Sequence, residues 1–192
     1  MKNYLFLFLT FFGLFFAEGQ ERQANLLLKS GKKVEGLGEV KKDKIYFRLD
    51  EDEKQEQWSN DDSKGIEFTG YRLPEKYIFV IHGKKNDTNL MEILLEGKVE
   101  LYKYTYFISG FSIGLMPIGT GPSTPTSEKI IEYYIKKPID KKGTKVTMDF
   151  KKIGQAFFSD CEDLMANINE EEFFEEEEII DLVKFYNRNC GK

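Results

Sequence analysis

From Asn25 onward, apolar residues come in short runs at alternating or near-alternating positions. Gly, Asp, Asn, Ser and Lys break them every several residues. Leu26-Leu27-Leu28 stops at Ser30-Gly31-Lys32, and Val34 to Val40 follows. Lys41-Lys42-Asp43 turns the chain, and Ile45-Tyr46-Phe47-Arg48-Leu49 begins again. Trp58, Ile66-Glu67-Phe68 and Tyr77 to Ile81 continue the series. Leu90 to Leu95 suits a hairpin with Val99 to Tyr104 across Glu96-Gly97-Lys98, and Ile130 to Ile135 is the last clear run. Period-two runs rich in β-branched and aromatic residues, closed by turn formers, predict consecutive antiparallel strands joined by hairpins. So many local strands predict a meander, either a rolled sheet or a small barrel or sandwich.

After Pro138 the period lengthens. Met148 to Phe158 has apolar residues at helical spacing, with Thr147 positioned to cap it. Ser159-Asp160-Cys161-Glu162 has the form of a capping box. Behind it Cys161, Leu164, Met165 and Ile168 share one helical face, as do Ile179, Leu182, Val183, Tyr186 and Cys190 further on. The expected fold class is therefore α+β: an antiparallel body over 20–138 with a long loop at 109–127, then a helical pair or trio over 139–192.

The first nineteen residues stand apart. Lys2 precedes an apolar run from Tyr4 to Phe16, and Ala17 and Gly19 supply small residues before the polar Gln20-Glu21-Arg22. This is the form of a secretory signal peptide, 1–19, cleaved after Gly19. The run is shorter than the ~20 residues that cross a bilayer as a helix. The mature chain then has no expected transmembrane helix. Charge is uneven: 24 Lys/Arg against 21 Asp/Glu from Gln20 to Phe158, and 3 against 11 from Ser159 to Lys192. A net of +3 followed by −8 gives a mildly basic body and an acidic tail. Neither has the basic excess of a nucleic-acid binder.

Cys161 and Cys190 are the only cysteines. An even count in an exported chain favours a disulfide. Each lies on the apolar face of its helix, as a bridge clamping two packed helices requires. In the chain-entropy description, closing a loop of this length stabilises by about 3.5 kcal/mol. Phe158-Ser159-Asp160-Cys161, then an acidic helix, then Lys184-Phe185-Tyr186-Asn187-Arg188-Asn189-Cys190, together with Leu94 to Tyr104, resembles a group of uncharacterised exported or envelope proteins of Gram-negative bacteria. The resemblance implies a β-rich body and a Cys-bridged helical end, fused in some relatives to an outer-membrane β-barrel. It implies no activity.

Candidate chemistry is sparse. Gly110, Gly114, Gly119 and Gly121 match neither a dinucleotide fingerprint nor a phosphate loop. In the same long segment Phe111, Ile113, Leu115, Met116 and Ile118 alternate with small residues, so they cover the sheet or form an apolar contact lip. His82, the one histidine, is expected as a strand-end polar residue beside a turn, with no nucleophile-elbow sequence to pair with it. The glutamate blocks at 170–172 and 175–178 lack the alternation and glycine of a calcium loop, and suit a helix start. Tyr102, Tyr104 and Tyr106 share one strand face, expected to be half buried with hydroxyls reaching water, or else a stacking platform.

No metal or cofactor is expected. The function expected is a non-catalytic secreted or envelope-associated module, periplasmic, peripheral to the outer membrane or extracellular. Its partner would be an envelope protein, a glycan or a lipid surface. The alternative is a carrier or sensor of an apolar ligand lidded by residues 111–118. A weaker one is a hydrolase using paired carboxylates.

Overall fold

The structure is a computed structural model, and it describes residues 21–70, 74–112, 124–146, 150–170 and 176–190. Residues 1–19, expected above to be a signal peptide, and the expected contact residues Ile113, Leu115, Met116 and Ile118 lie outside these, as does the side chain of Phe111.

Ten strands form one antiparallel sheet: β1 (Arg22–Leu28), β2 (Lys33–Lys41), β3 (Lys44–Arg48), β4 (Glu56–Trp58), β5 (Ser63–Phe68), β6 (Glu75–His82), β7 (Asp87–Leu95), β8 (Glu100–Ser112), β9 (Thr124–Lys136) and β10 (Thr144–Lys145). Their order is β10-β9-β8-β7-β6-β5-β1-β2-β3-β4. Two meanders, β1–β4 and β5–β10, are thus joined side by side through β1 and β5. The ends do not meet, so the sheet is open, not a barrel. Three helices follow: α1 (Phe150–Phe157), α2 (Glu162–Glu170) and α3 (Glu176–Asn189). The α+β antiparallel meander read from the sequence is the observed architecture.

Turn chemistry sets the hairpins. Lys42 and Asp43 both take positive φ, 48° and 62°, between β2 and β3. That is the twist a two-residue hairpin turn needs to match its strands. Residues 109–112 and 124–127, expected in a loop, are instead paired: Ser109 with Ser127, Gly110 with Thr126, Phe111 with Pro125, Ser112 with Thr124. The β8–β9 register runs unbroken for thirteen residues, so continuous pairing satisfies backbone groups that a loop would leave to water.

The apolar interior has three parts. Ala24, Leu26, Ile45, Phe47, Ile66, Phe68 and Leu90 pack where the first meander meets the second. Val80, Met91, Tyr102 and Tyr134 pack on the other face of β6–β9. Val99, Leu101, Tyr133 and Ile135 meet the helices through Phe158, Leu164, Ile168, Ile179, Val183 and Tyr186. Cys161 and Cys190 are bonded within this last cluster.

The helices dock by polar contacts as well. Asn187 accepts from Val99 N at 2.8 Å and donates to Val99 O at 2.8 Å. It completes the pairing of a residue at the end of the β7–β8 turn. A Cβ on Gly97 would lie 2.6–2.9 Å from three Asn187 atoms, so the turn must carry glycine for α3 to approach. Lys98 donates to Cys190 O, and Tyr186 donates to Asp160 Oδ2 at 2.8 Å. The capping box expected at Ser159 does not form. α1 ends just before it, and the Ser159 hydroxyl donates back to Ala156 O at 3.4 Å. The Cys161 carbonyl accepts the opening bond of α2 from Met165 N. Asp160 is engaged by Tyr186 instead.

Candidate functional site

β7 and β8 start as an ordinary hairpin and then part. A bulge between Ile93 and Leu95 shifts their register, and the pairing ends at Glu92–Lys103. Bulges bend and twist the strand that carries them. Beyond Lys103, β8 pairs only with β9 among the described residues. The first half of β7 pairs only with β6. Beside the divide sits the tip of the β2–β3 hairpin. Tyr104 ties the parts together: its hydroxyl donates to Asp43 Oδ2 at 2.7 Å and it also bonds to Asn89.

The result is a cleft of about 560 Å³ lined by Val40, Asp43, Tyr77, Leu90, Thr105 and Phe107 among others. Leu90, buried, and Val40 give it an apolar part. Lys42 and the Glu92–Lys103 ion pair, 2.7 Å, stand among its lining residues. The volume lies within the range of small-molecule sites.

Behind Tyr104 a connected polar network runs over one face. Asn89 Oδ1 lies 3.1 Å from His82 Nε2, and the His82 ring meets Tyr134 edge-on at 5.0 Å. Tyr134 donates to Glu132 Oε2 at 2.7 Å, Tyr106 donates to Glu132 Oε1 at 3.0 Å, and Lys145 pairs with the same oxygen at 2.6 Å. Tyr106 stacks on Tyr104 at 5.2 Å. Tyr102 donates to Glu100 Oε2 at 2.7 Å, itself paired with Lys136. The tyrosine face expected from the sequence is present, with Tyr104 and Tyr106 half buried, and each of its hydroxyls also donates to a carboxylate. The ladder and His82, far apart in sequence, form one assembly. Nothing in the strand pattern shows this, because the partners come from four separate hairpins.

Electrostatics follow from those bonds. Burial first, then the bonds to carboxylates, raises Tyr102, Tyr104 and Tyr134 well above an ordinary tyrosine. The bond to Glu132 raises Tyr106. Burial, with Glu92 and Glu75 nearby, pushes Tyr77 up to about 12 despite Arg22. For Glu132, burial works to raise the pKa. The hydrogen bonds from Lys145, Tyr134 and Tyr106 outweigh it, and the carboxyl is lowered. The tyrosines are held as neutral donors and Glu132 as an anionic acceptor. A general base or nucleophile needs a pKa drawn toward working pH, which is the reverse direction for a phenol.

Among the described residues, Gln55 brings two carboxylates together. Gln55 Nε2 donates to Glu21 Oε1 at 2.8 Å and to Glu39 Oε1 at 3.1 Å. Each acid is already engaged by a cation, Arg48 on Glu21 and Lys41 on Glu39. Arg48 also donates to the Glu51 carbonyl, so the cluster pins the β3–β4 loop. Among the described residues no group of three His, Cys, Asp or Glu side chains is arranged for a metal, and no helix is long and apolar enough to cross a membrane. Glu177 and Glu178 open α3 on its exposed side. Comparisons with protein-family models, curated proteins and solved structures find no match to this chain.

Proposed function

We propose that this chain is an exported, non-catalytic binding module of the cell envelope, with the β8–β9 ribbon as its contact element. One observation carries the reading. Past the divide the ribbon leaves the rest of the sheet and presents Phe107, 67% exposed, and Ile108, 48% exposed. The other end of β8 lies beneath the helices, through Leu101. One end is thus anchored by a disulfide-linked helical cover, and the other is free for contact.

Export is supported by the leader-like opening and by the Cys161–Cys190 bond, which persists in oxidising compartments. The non-catalytic reading is supported by the direction of the tyrosine shifts and by the cation already on each acid of the Glu21–Glu39 pair. The partner is an envelope protein, a glycan or a lipid surface.

Crosslinking and pull-down from envelope fractions of the producing cell tests this, comparing the wild type with Phe107→Ser/Ile108→Ser. The double variant should lose partners that the wild type retains; identical partner sets would remove the ribbon's role. The 560 Å³ cleft favours a second reading, a carrier of a small ligand with an apolar body. That reading requires saturable binding of an apolar fluorophore, lost when Leu90→Lys puts a charge in the lining.

A further inference from the structure

We propose that the β6–β7 and β9–β10 turns together form a docking surface for an anionic bilayer, with Ile139 inserted among the headgroups and the surrounding lysines on their phosphates. The inference goes beyond the ribbon: it concerns a different surface, and neither depends on the other.

The two turns are distant in sequence and adjacent in space. Gly143 N donates to Ile81 O at 2.8 Å, and Lys142 Nζ donates to Gly83 O at 3.3 Å. His82 and Gly143 are bridge partners. A Cβ on Gly143 would lie 3.0 Å from Val80 Cγ1, so glycine permits the close approach. Residues 137–140 are also closed on themselves as a β-turn. Asp140 N donates to Lys137 O at 2.9 Å, and Lys137 N donates to Asp140 Oδ2 at 3.2 Å. Pro138 takes the second position of that turn, where its fixed φ fits. Ile139 comes next, at the tip. The surface is thus held in place before any ligand arrives, which lowers the ordering cost of binding.

Charge and exposure select the occupant. Residues 83–87 and 137–143 hold five lysines against two aspartates, a net of +3 in a chain of −5. Lys84, Lys85, Lys141 and Lys142 are exposed. Among the described residues none of these four is in an ion pair. Asp140 is engaged by its own turn, and Asp87 lies back against Gly83. Ile139 is 89% exposed, more than Phe107 or Ile108. Charges beyond the ~8 Å screening length count little at contact, so the local excess governs. Each lysine near an anionic lipid surface adds roughly fivefold in affinity. A nucleic acid or an acidic protein would also take the lysines, but neither gives Ile139 a place. No other large apolar residue stands in either turn to build a patch for a folded partner. A bilayer yields around one protruding side chain, and lysine stems can lie along its interface with their ammonium groups at the phosphates.

Co-sedimentation of the mature, disulfide-bonded chain with vesicles tests this, using phosphatidylcholine alone and phosphatidylcholine mixed with phosphatidylglycerol. The expected result is binding to the mixed vesicles only, weakening as salt rises. Lys84→Gln/Lys141→Gln should weaken it by roughly 25-fold, and Ile139→Ser by roughly tenfold. All three positions are exposed, so circular dichroism should not change. No binding to the mixed vesicles, equal binding to both kinds, or indifference to the lysine pair would overturn the proposal. Binding indifferent to Ile139→Ser would reduce the surface to a polyanion site and overturn the bilayer assignment. If Phe107→Ser/Ile108→Ser abolishes vesicle binding and the turn variants do not, the ribbon is the membrane contact and this surface falls. Loss in the turn variants alone supports this surface and leaves the ribbon to be judged by its own pull-down.

Discussion

Replacing Asn187 with alanine removes both bonds to the Val99 backbone in one step. Val99 is fully buried, and its N–H and C=O each meet the Asn187 side chain at 2.8 Å. A buried backbone group left without a partner costs about 1–3 kcal/mol. Two such groups, eased by water entering the vacated space, give about 3 kcal/mol. For a domain of this size that lowers Tm by roughly 6–12 °C. Gly97 permits a sharper form of the test. The nearest atoms to an alanine Cβ there are Asn187's, at 2.6–2.9 Å, and the backbone has φ 159°, so Gly97→Ala should cost about 1–3 kcal/mol by overpacking, with backbone strain added. In the Asn187→Ala background the steric part of that cost is gone and only the strain of a side chain at φ 159° remains, so the same change should cost measurably less than in the wild type. Urea unfolding with the disulfide intact measures both, following helices by far-ultraviolet circular dichroism and the β body by fluorescence of Trp58, the single tryptophan. An Asn187→Ala variant within about 0.5 kcal/mol of wild type, or two additive substitutions, would refute the docking role assigned to Asn187.

Three further outcomes are expected. Replacing both cysteines by serine should lower stability by about 3.5 kcal/mol in the chain-entropy description, read as a reduced urea midpoint; an unchanged midpoint would refute it. Tyr104→Phe removes the hydroxyl bond to Asp43 and should cost about 1–2 kcal/mol, with faster amide exchange across the β2–β3 turn; unaltered exchange would show that the hairpin tip is held otherwise. Alkaline pH should unfold the protein. Tyr77 and Tyr186 are raised to about 12, and Tyr102, Tyr104 and Tyr134 are raised further, each chiefly by burial. The folded state therefore holds these protons more tightly than the unfolded state, whose tyrosines titrate near 10.0. Their contribution is complete below pH 10, and it is lost as pH rises through and past 12. Tyrosinate absorbance should appear together with loss of circular dichroism; free titration near pH 10 with the fold intact would contradict the assignment.

Strand and helix positions were legible because they depend on local periodicity. Val34 to Val40 and Ile45 to Leu49 alternate around a turn whose residues tolerate positive φ, and hairpin pairing follows from adjacency. Cys161 and Cys190 continue the apolar spacing of two helices, and although they flank α2 and α3 instead of lying within them, the bridge expected from that spacing and the even cysteine count is present. The apolar opening, the charge asymmetry and the absence of a nucleophile-elbow or phosphate-loop sequence likewise belong to the linear chain. Tertiary structure decided where β1 lies, because its pairing with β5 joins residues on either side of a whole meander. It decided that Ser159 serves α1 while Asp160 receives Tyr186. It also decided that a bulge at Leu94 parts β7 from β8, drawing Asp43, Asn89 and Tyr104 together and leaving the facing edges of both strands without a strand partner among the described residues. Hydrophobic period reports which face of an element is buried; it carries no record of which distant partner satisfies a given hydroxyl or backbone amide. That is settled only when the twist of the whole sheet brings separate hairpins within hydrogen-bond reach.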